Sequence, residues 1–478
     1  MNGLDGGIIP GDNNASNNYL VELDLSARID LDDGANYKMT LIPSDVPTLK
    51  DQALWSNSAN TTLFNYGGRG ANSTSTDSGA WAYSISQASW QVQMSSVKPV
   101  RLVDGAYVNV PELQAAYWLG GYQSRDTTPS ITDDTRAYAT GMIQFNTTTE
   151  VYTLLDAPFT PVQQGALVYL PTLHQGVLLY FGGEVPSVQD GIDAQLSPNS
   201  WDYVYVYDIA NQTWYNQTTT GTVAPRTQFC ASVVHQDGTD SWQIYVIGGA
   251  DFDSKEVMAD VSYLSIPSFK WYSAAGLNKG RMSHTCQSYG RQIIGIGGRQ
   301  AWANDAAAGC YDTPAFLYDA QSEVVRTVFD PSLSTYSIPS ATADDIAASQ
   351  VPSSYDNITM SLLFSRPVNS TNIPEVRKSI NKEAIAGGVV GSICGAAIVA
   401  GLIWFFIWRR QKARKSTLEQ IPGKLDSEMK LQRPGELSAE EAARELDAYY
   451  SQRSELEAHT QTVQELDSTT VNSRRYLR

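Results

Sequence analysis

Residues 241–253, SWQIYVIGGADFD, carry a hydrophobic strand pattern straight into Gly248-Gly249 and then turn polar. A glycine pair adds backbone entropy and packs no side chain, so at a strand end it marks a bend or a close backbone approach. The event recurs after other short apolar or aromatic runs, at Gly6-Gly7, Gly67-Gly68, Gly120-Gly121, Gly182-Gly183 and Gly297-Gly298. The gaps between successive second glycines are 61, 53, 62, 66 and 49 residues. Downstream of most pairs a polar loop leads to an alternating strand and then an aromatic residue. Tyr83 to Trp90 and Tyr207 to Trp214 are seven apart, and Tyr263 to Trp271 is eight. FCASVV (229–234) and TCQSYG (285–290) read as the strands that precede glycine-bearing ones, while Val151-Tyr152 and Val324-Val325 stand where tryptophan would in less regular repeats.

A period of about 50 with Gly-Gly, Tyr and Trp at ordered offsets resembles the kelch repeat, in which each unit is a four-stranded blade of a β-propeller. A lone four-stranded sheet cannot bury both faces, and stacking blades around an axis covers them with large flat side chains. The resemblance implies an all-β, kelch-type propeller of six blades, possibly seven, over residues 1–345. The first pair lies so close to the start that the chain is expected to begin inside its first blade. MNGLDGGIIPGDNN also lacks the basic start and apolar core of an export signal.

Residues 384–408 are 25 residues without charge or proline, enough to cross about 30 Å of hydrocarbon. RRQKARK follows directly, and its basic excess places the C-terminal side in the cytoplasm. The expected organisation is an ectodomain (1–345), a juxtamembrane stalk (346–383), one transmembrane helix (384–408) and a cytosolic tail (409–478), disordered or helical from about 439 to 466 after a Ser438/Glu441 capping box. Residues 1–383 hold 20 basic and 38 acidic side chains, a net of −18, against 13 and 12 in the tail. Acidity confined to the outer part argues against nucleic acid as a partner. Sequons begin at Asn14, Asn60, Asn72, Asn146, Asn211, Asn216, Asn357 and Asn369, all upstream of the apolar segment. Together with ALWSNSANTTLFNYGG, VYDIANQTWYNQTTTG, YLSIPSFKW and RMSHTCQSYGRQIIGIGG, this layout resembles single-pass kelch-repeat surface proteins of filamentous ascomycete fungi. The resemblance implies a plasma-membrane glycoprotein with its N-terminus outside.

Of the four cysteines, Cys394 lies in the apolar segment. Cys286 and Cys310 fall in one repeat, so a Cys286–Cys310 disulfide is expected, with Cys230 a small buried hydrophobe. Kelch propellers include a copper oxidase, galactose oxidase, whose chemistry needs two imidazoles and phenolates converging on copper. Here His174, His235 and His284 are scattered, and His284 occupies a position that the repeat uses structurally. TDDTR (132–136) and GADFDSKEVMAD (249–260) offer carboxylates, which read as solvated loop charge. No catalytic, metal or cofactor residue is assigned. The loops after the glycine pairs, 69–80, 122–137, 184–200, 250–260 and 299–313, should crowd one face; with Arg69, Tyr122, Arg125 and Trp302 they suit protein or glycan recognition. Gly387, Gly391 and Gly395 form a tandem GxxxG that would permit a helix-mediated homodimer. The expected function is a non-enzymatic binding, adhesion or receptor scaffold with an adaptor-binding tail; the alternative is a tethered carbohydrate-active oxidase or hydrolase.

Overall fold

The computed structural model describes residues 18–364 apart from 71–79, 94, 96–99, 173–174, 193, 303–310, 312 and 349–354. Gly6, Gly7, Asn14, Asn72, His174, Cys310, Asn369, the apolar segment 384–408 and the tail lie outside the described residues. No described helix is long and apolar enough to cross a membrane.

Five antiparallel four-stranded sheets follow one another along the chain, each carrying one glycine pair at the end of its second strand. Blade 1 comprises Lys50–Ser56, Thr62–Arg69, Trp81–Ser84 and Ser89–Val92. Blade 2 comprises Ala106–Val110, Ala115–Leu119, Met142–Asn146 and Val151–Leu155. Blade 3 comprises Ala166–Leu170, Val177–Phe181, Tyr203–Asp208 and Thr213–Thr218. Blade 4 comprises Cys230–His235, Trp242–Ile247, Val261–Ile266 and Lys270–Ala274. Blade 5 comprises Met282–Tyr289, Gln292–Arg299, Ala315–Asp319 and Val324–Arg326. Instead of a sixth complete blade, the described residues hold two short sheets: Tyr19–Leu23 pairs with Tyr37–Leu41, and Ile29–Asp30 pairs with Val328–Phe329. Leu31, Tyr37 and Phe329 from these sheets pack on Ile294, Ala315 and Leu317 of blade 5. The N-terminal segment thereby covers the outer face of the last repeat, as a terminal unit must.

Period-two alternation serves two neighbours at once. Along the second strand of blade 3, Leu178 and Tyr180 join a core with Tyr117 and Leu119 of blade 2, while Leu179 and Phe181 join one with Ile244 and Val246 of blade 4. Both sides are buried, so this strand reads as a continuous apolar run, VLLYF.

The glycine pairs sit at the junctions between blades. A Cβ on Gly67 would lie 2.5 Å from the carbonyl oxygen of Leu102, in the segment entering blade 2. A Cβ on Gly68 would lie 2.8 Å from the carbonyl of Lys50 in its own blade. Gly68 N donates to Leu102 O (2.8 Å), Gly121 N to Val162 O (2.8 Å), Gly183 N to Arg226 O (3.3 Å) and Gly249 N to Arg281 O (2.8 Å). These four pairs turn left-handed, and two backbones meet there where no side chain fits.

The hairpins that close blades 1 and 3 match the sequence pattern: Tyr83 stands opposite Trp90 and Tyr207 opposite Trp214, with ring centroids 5.1 and 4.9 Å apart. Blade 4 departs from it. Trp271 stands opposite Leu264 and faces blade 3, where it meets Phe181 and Trp201; Tyr263 turns the other way and stacks on Tyr272. All three hairpins turn through four residues, so paired positions are an odd number apart and an interval of seven keeps two residues on one side where an interval of eight sets them on opposite sides.

The disulfide expectation is corrected. Cys230 is bonded to Cys286, with Cα atoms 5.7 Å apart. Both lie on first strands of consecutive blades, Cys230 on the side facing blade 5 and Cys286 packed against the same core. The stacking of neighbouring blades brings these cysteines together.

The folded unit also extends past the expected boundary at residue 345. Helix α1 (Ser340–Ala348) ties to blade 4 through Thr342 with Tyr263 and through Asp345 with Lys270 and Tyr272. Helix α2 (Ile358–Phe364) buries Met360, Leu363 and Phe364 against Phe269 and Trp271, and Asp356 accepts from the Thr218 amide at 2.6 Å. Residues 355–364, expected in the stalk, are thus packed on blades 3 and 4.

Candidate functional site

Each blade begins its first strand beside a residue with left-handed backbone: Asp51 (φ 56°), Asp104 (60°), Gln164 (59°), Gln228 (56°) and Ser283 (54°). Such values are uncommon outside glycine, and their recurrence at one place in five repeats marks a built feature. Backbone bonds join four of them in sequence, from Gln164 N to Asp104 O (2.8 Å), Gln228 N to Gln164 O (3.2 Å) and Ser283 N to Gln228 O (2.8 Å). Antiparallel pairing sets the start of each first strand beside the end of the second, so this ring lies at the glycine-pair end.

Charged and polar side chains gather around it. Asp51 holds Arg69 at 2.6 Å. The carboxyl of Asp104 is pushed up by burial and by the Asp51 carboxylate, against the pull of Arg69 and a hydrogen bond with the Tyr122 hydroxyl. The guanidinium of Arg136 lies 4.8 Å from the Tyr122 ring centroid. Gln228 Oε1 accepts from Ser283 Oγ and, at 3.0 Å, from Arg299 Nη2. Burial raises the Glu184 carboxyl, against the hydrogen bond that Gln163 Nε2 donates to it at 2.5 Å. Asp51 is thus tied to Arg69, and Asp104 to Tyr122, across the start of two neighbouring blades.

The two longest loops on this end fold together. Tyr122–Gln123 pairs with Arg136–Tyr138, which pairs in turn with Asp190–Gly191 from the loop of the next blade. Glu184–Pro186 pairs with Leu196–Pro198. Val103, Tyr122 and Tyr138 form a small core under this cap with Ala194 and Leu196. The loops 122–137 and 184–200, expected to crowd one face, are thus one structure with buried residues. Arg125 pairs with Asp134 at 3.0 Å within the cap. In the loop of blade 4, Lys255 Nζ sits 3.9 Å from the Phe252 ring centroid and 4.2 Å from that of Trp302.

The opposite end differs in character. Asn60 lies in the hairpin joining the first two strands of blade 1, Asn146 ends the third strand of blade 2 and Asn211 lies in the last hairpin of blade 3. All three therefore lie away from the glycine pairs. Asn60, Asn211, Asn216 and Asn357 are exposed and Asn146 is half-buried. His235 Nε2 bonds Thr239 O at 2.8 Å, and its ring stacks on Trp242. His284 is buried against Phe316, and burial, then Arg281, holds its pKa down to about 3. The two imidazoles belong to different blades and different surroundings. Among the described residues no group of three or more His, Cys, Asp or Glu could hold a metal ion.

Sequence reasoning named Arg69, Tyr122, Arg125 and Trp302 on this end but missed the left-handed ring. Its signal was faint: Asp, Asp, Gln, Gln and Ser two residues after Leu49, Leu102, Val162, Arg226 and Arg281.

No family model matches the chain. It is similar to a "Kelch repeat-containing protein" of Arthroderma benhamiae, with 29% identity over 317 residues, covering 55% of this chain and 45% of that protein. The chain thus spans less than half of the length of that relative. The likeness and the strand-rich architecture agree on an all-β fold of kelch-type blades.

Proposed function

We propose that this chain is a non-enzymatic binding module, anchored in a membrane through 384–408 with the propeller outside, and that the glycine-pair end is its recognition surface. The carrying observation is the cap: loops from two repeats have folded into a sheet with its own core, which blade packing does not require. Glycans on Asn60, Asn146 and Asn211 would sit at the far end, clear of the cap. Mixed charge around the ring suits a protein partner better than a nucleic acid.

The test uses whole cells expressing the full chain with an epitope at each terminus. The N-terminal epitope should be reached without permeabilisation and the C-terminal one only after it. Surface cross-linking should capture a partner that is lost on Arg125→Ala with Asp134→Ala in the cap and kept on Asn60→Gln with Asn211→Gln at the far end. Capture that follows the far-end pair instead would overturn the assignment of the surface.

A further inference from the structure

Beside the cap, between the Leu196–Pro198 strand and the loop of blade 4, lies an open cleft of about 410 Å³. Its lining holds three carboxylates, Asp202, Asp251 and Asp253, and no lysine, arginine or histidine. Trp201, Trp271 and Phe252 make its apolar wall. We propose that this cleft seats a basic side chain, lysine or arginine, from an extended segment of a partner protein. The proposal rests on the reading that this end binds a partner and specifies the chemistry recognised there.

Three observations select a cation over a sugar. First, the two indoles are almost wholly enclosed, Trp201 at 6% and Trp271 at 3% exposure, so neither presents the flat face on which a pyranose would stack. They can still line the methylene stem of a long basic side chain, which buries its carbons while its head meets acid at the rim. Second, the protein already places an ammonium on this loop: Lys255 sits over Phe252 and Trp302. Third, the chain that builds blade 3 contributes no competing lysine or arginine. No lysine or arginine occurs between Arg136 and Arg226, while Glu150, Asp156, Asp190, Asp202 and Asp208 all do. Blade 3 therefore carries net negative charge, offset in part by Lys255 near Asp251 and Glu184, and this draws a basic segment in and sets its position.

Of the carboxylates, Asp251 spends one oxygen on its own loop, accepting from the amides of Asp253 and Ser254 and from the Ser254 hydroxyl. Asp202 accepts only from Ser200 at 3.2 Å among the described side-chain bonds, and Asp253 is exposed. Asp202 and Asp253 are thus the pair to neutralise.

The experiment titrates the purified full-length protein with amidated tetra-arginine, tetra-lysine and neutral cellotetraose, following heat of binding and tryptophan fluorescence in low salt and in added salt. Both cationic peptides should bind saturably, and cellotetraose should not. Asp202→Asn with Asp253→Asn should weaken the peptides by about tenfold or more, and salt should erase most of the difference from wild type. Because both side chains are exposed, the thermal midpoint should hold, which separates lost binding from lost fold. Absence of saturable peptide binding, equal binding by the double variant, or a cellotetraose response that the variant abolishes would each overturn the proposal. Cell-surface capture that persists in the double variant yet disappears with the cap variant would sink the cleft while leaving the broader reading intact.

Discussion

Replacing Gly67 and Gly297 separately by alanine isolates what a glycine pair does between blades. Both glycines are first members of their pairs, and both are left-handed, with φ of 69° and 77°. An alanine at either site carries a similar backbone penalty, about 1–2 kcal/mol. Their surroundings differ. A Cβ added at Gly67 would lie 2.5 Å from Leu102 O and 3.1 Å from the Trp118 ring, whereas among the described residues no atom lies within 4 Å of a Cβ at Gly297. Reaching ordinary contact of about 3.4 Å requires the Leu102 carbonyl to retreat by roughly 0.9 Å, an overpacking cost of about 1–3 kcal/mol. Leu102 is buried among Trp55, Tyr66 and Trp118, and its carbonyl already accepts from Gly68 N at 2.8 Å, so retreat also strains that bond.

Gly67→Ala should therefore lose about 2–5 kcal/mol and Gly297→Ala about 1–2 kcal/mol. With an unfolding entropy of about 2.1 cal/mol/K per residue over some 340 folded residues, the gap of about 1–3 kcal/mol separates the two thermal midpoints by about 1–4 °C. Scanning calorimetry of the two purified variants beside wild type reads this directly, with Gly238→Ala, also left-handed and in open space, as a backbone control. Equal midpoints for Gly67→Ala and Gly297→Ala would refute the junction argument and reduce the pairs to turn formers.

Four further outcomes follow from named contacts. Replacing Cys230 and Cys286 together by serine opens a loop of 56 residues and should cost about 4 kcal/mol, read as a lower midpoint, with non-reducing peptide mapping of the wild type joining these two cysteines. Arg226 is fully buried and bonds Asp260, Gly248 O and Ala224 O, so Arg226→Ala should cost about 3 kcal/mol or more, and Asp260→Asn less because Asp260 is half exposed; urea melts distinguish them. The folded pKa of His284, about 3, lies below its ordinary 6.5, so the unfolded chain binds the extra proton and stability falls as pH drops from about 6.5 toward 3. That group alone should remove about 2 kcal/mol between pH 7 and pH 5, a slope that His284→Leu should flatten in urea melts at the two pH values. Deleting 189–192 should lower the midpoint, because Arg136 and Ala137 lose their pairing strand; an unchanged midpoint would return those residues to the status of a free loop.

What the sequence made legible is what lies within one repeat. The glycine pairs, the strand runs before them and the hairpins of Tyr83 with Trp90 and Tyr207 with Trp214 are fixed by local spacing, and each stands in the expected register. What it hid lies between repeats. Pairing Cys310 with Cys286 follows sequence proximity, yet Cys230 and Cys286 are 56 residues apart, within the 49 to 66 residues by which the last three glycine pairs recur. Residues one repeat apart occupy equivalent places on neighbouring blades, so in a stacked array the repeat period is itself a contact distance. The pairing of Arg136–Tyr138 with Asp190–Gly191 had no comparable signal, because variable loops keep no common offset.

The eight-residue interval from Tyr263 to Trp271 carried more information than its resemblance to the seven-residue intervals suggested. Across the four-residue turn 266–269 paired positions are an odd number apart, so an interval of eight sets Tyr263 and Trp271 on opposite sides of the sheet. There it fills the junction with blade 3 beside Trp201, and its edge becomes wall for the acidic cleft. Tyr263, released from that role, joins Tyr245 and Tyr272 in the junction with blade 5, which also contains the Cys230–Cys286 bridge. One residue of spacing thus redistributes the aromatic side chains of blade 4 between its two neighbours. The departure of blade 4 from the seven-residue interval thus decides which junction Trp271 fills, and with it one part of the cleft wall.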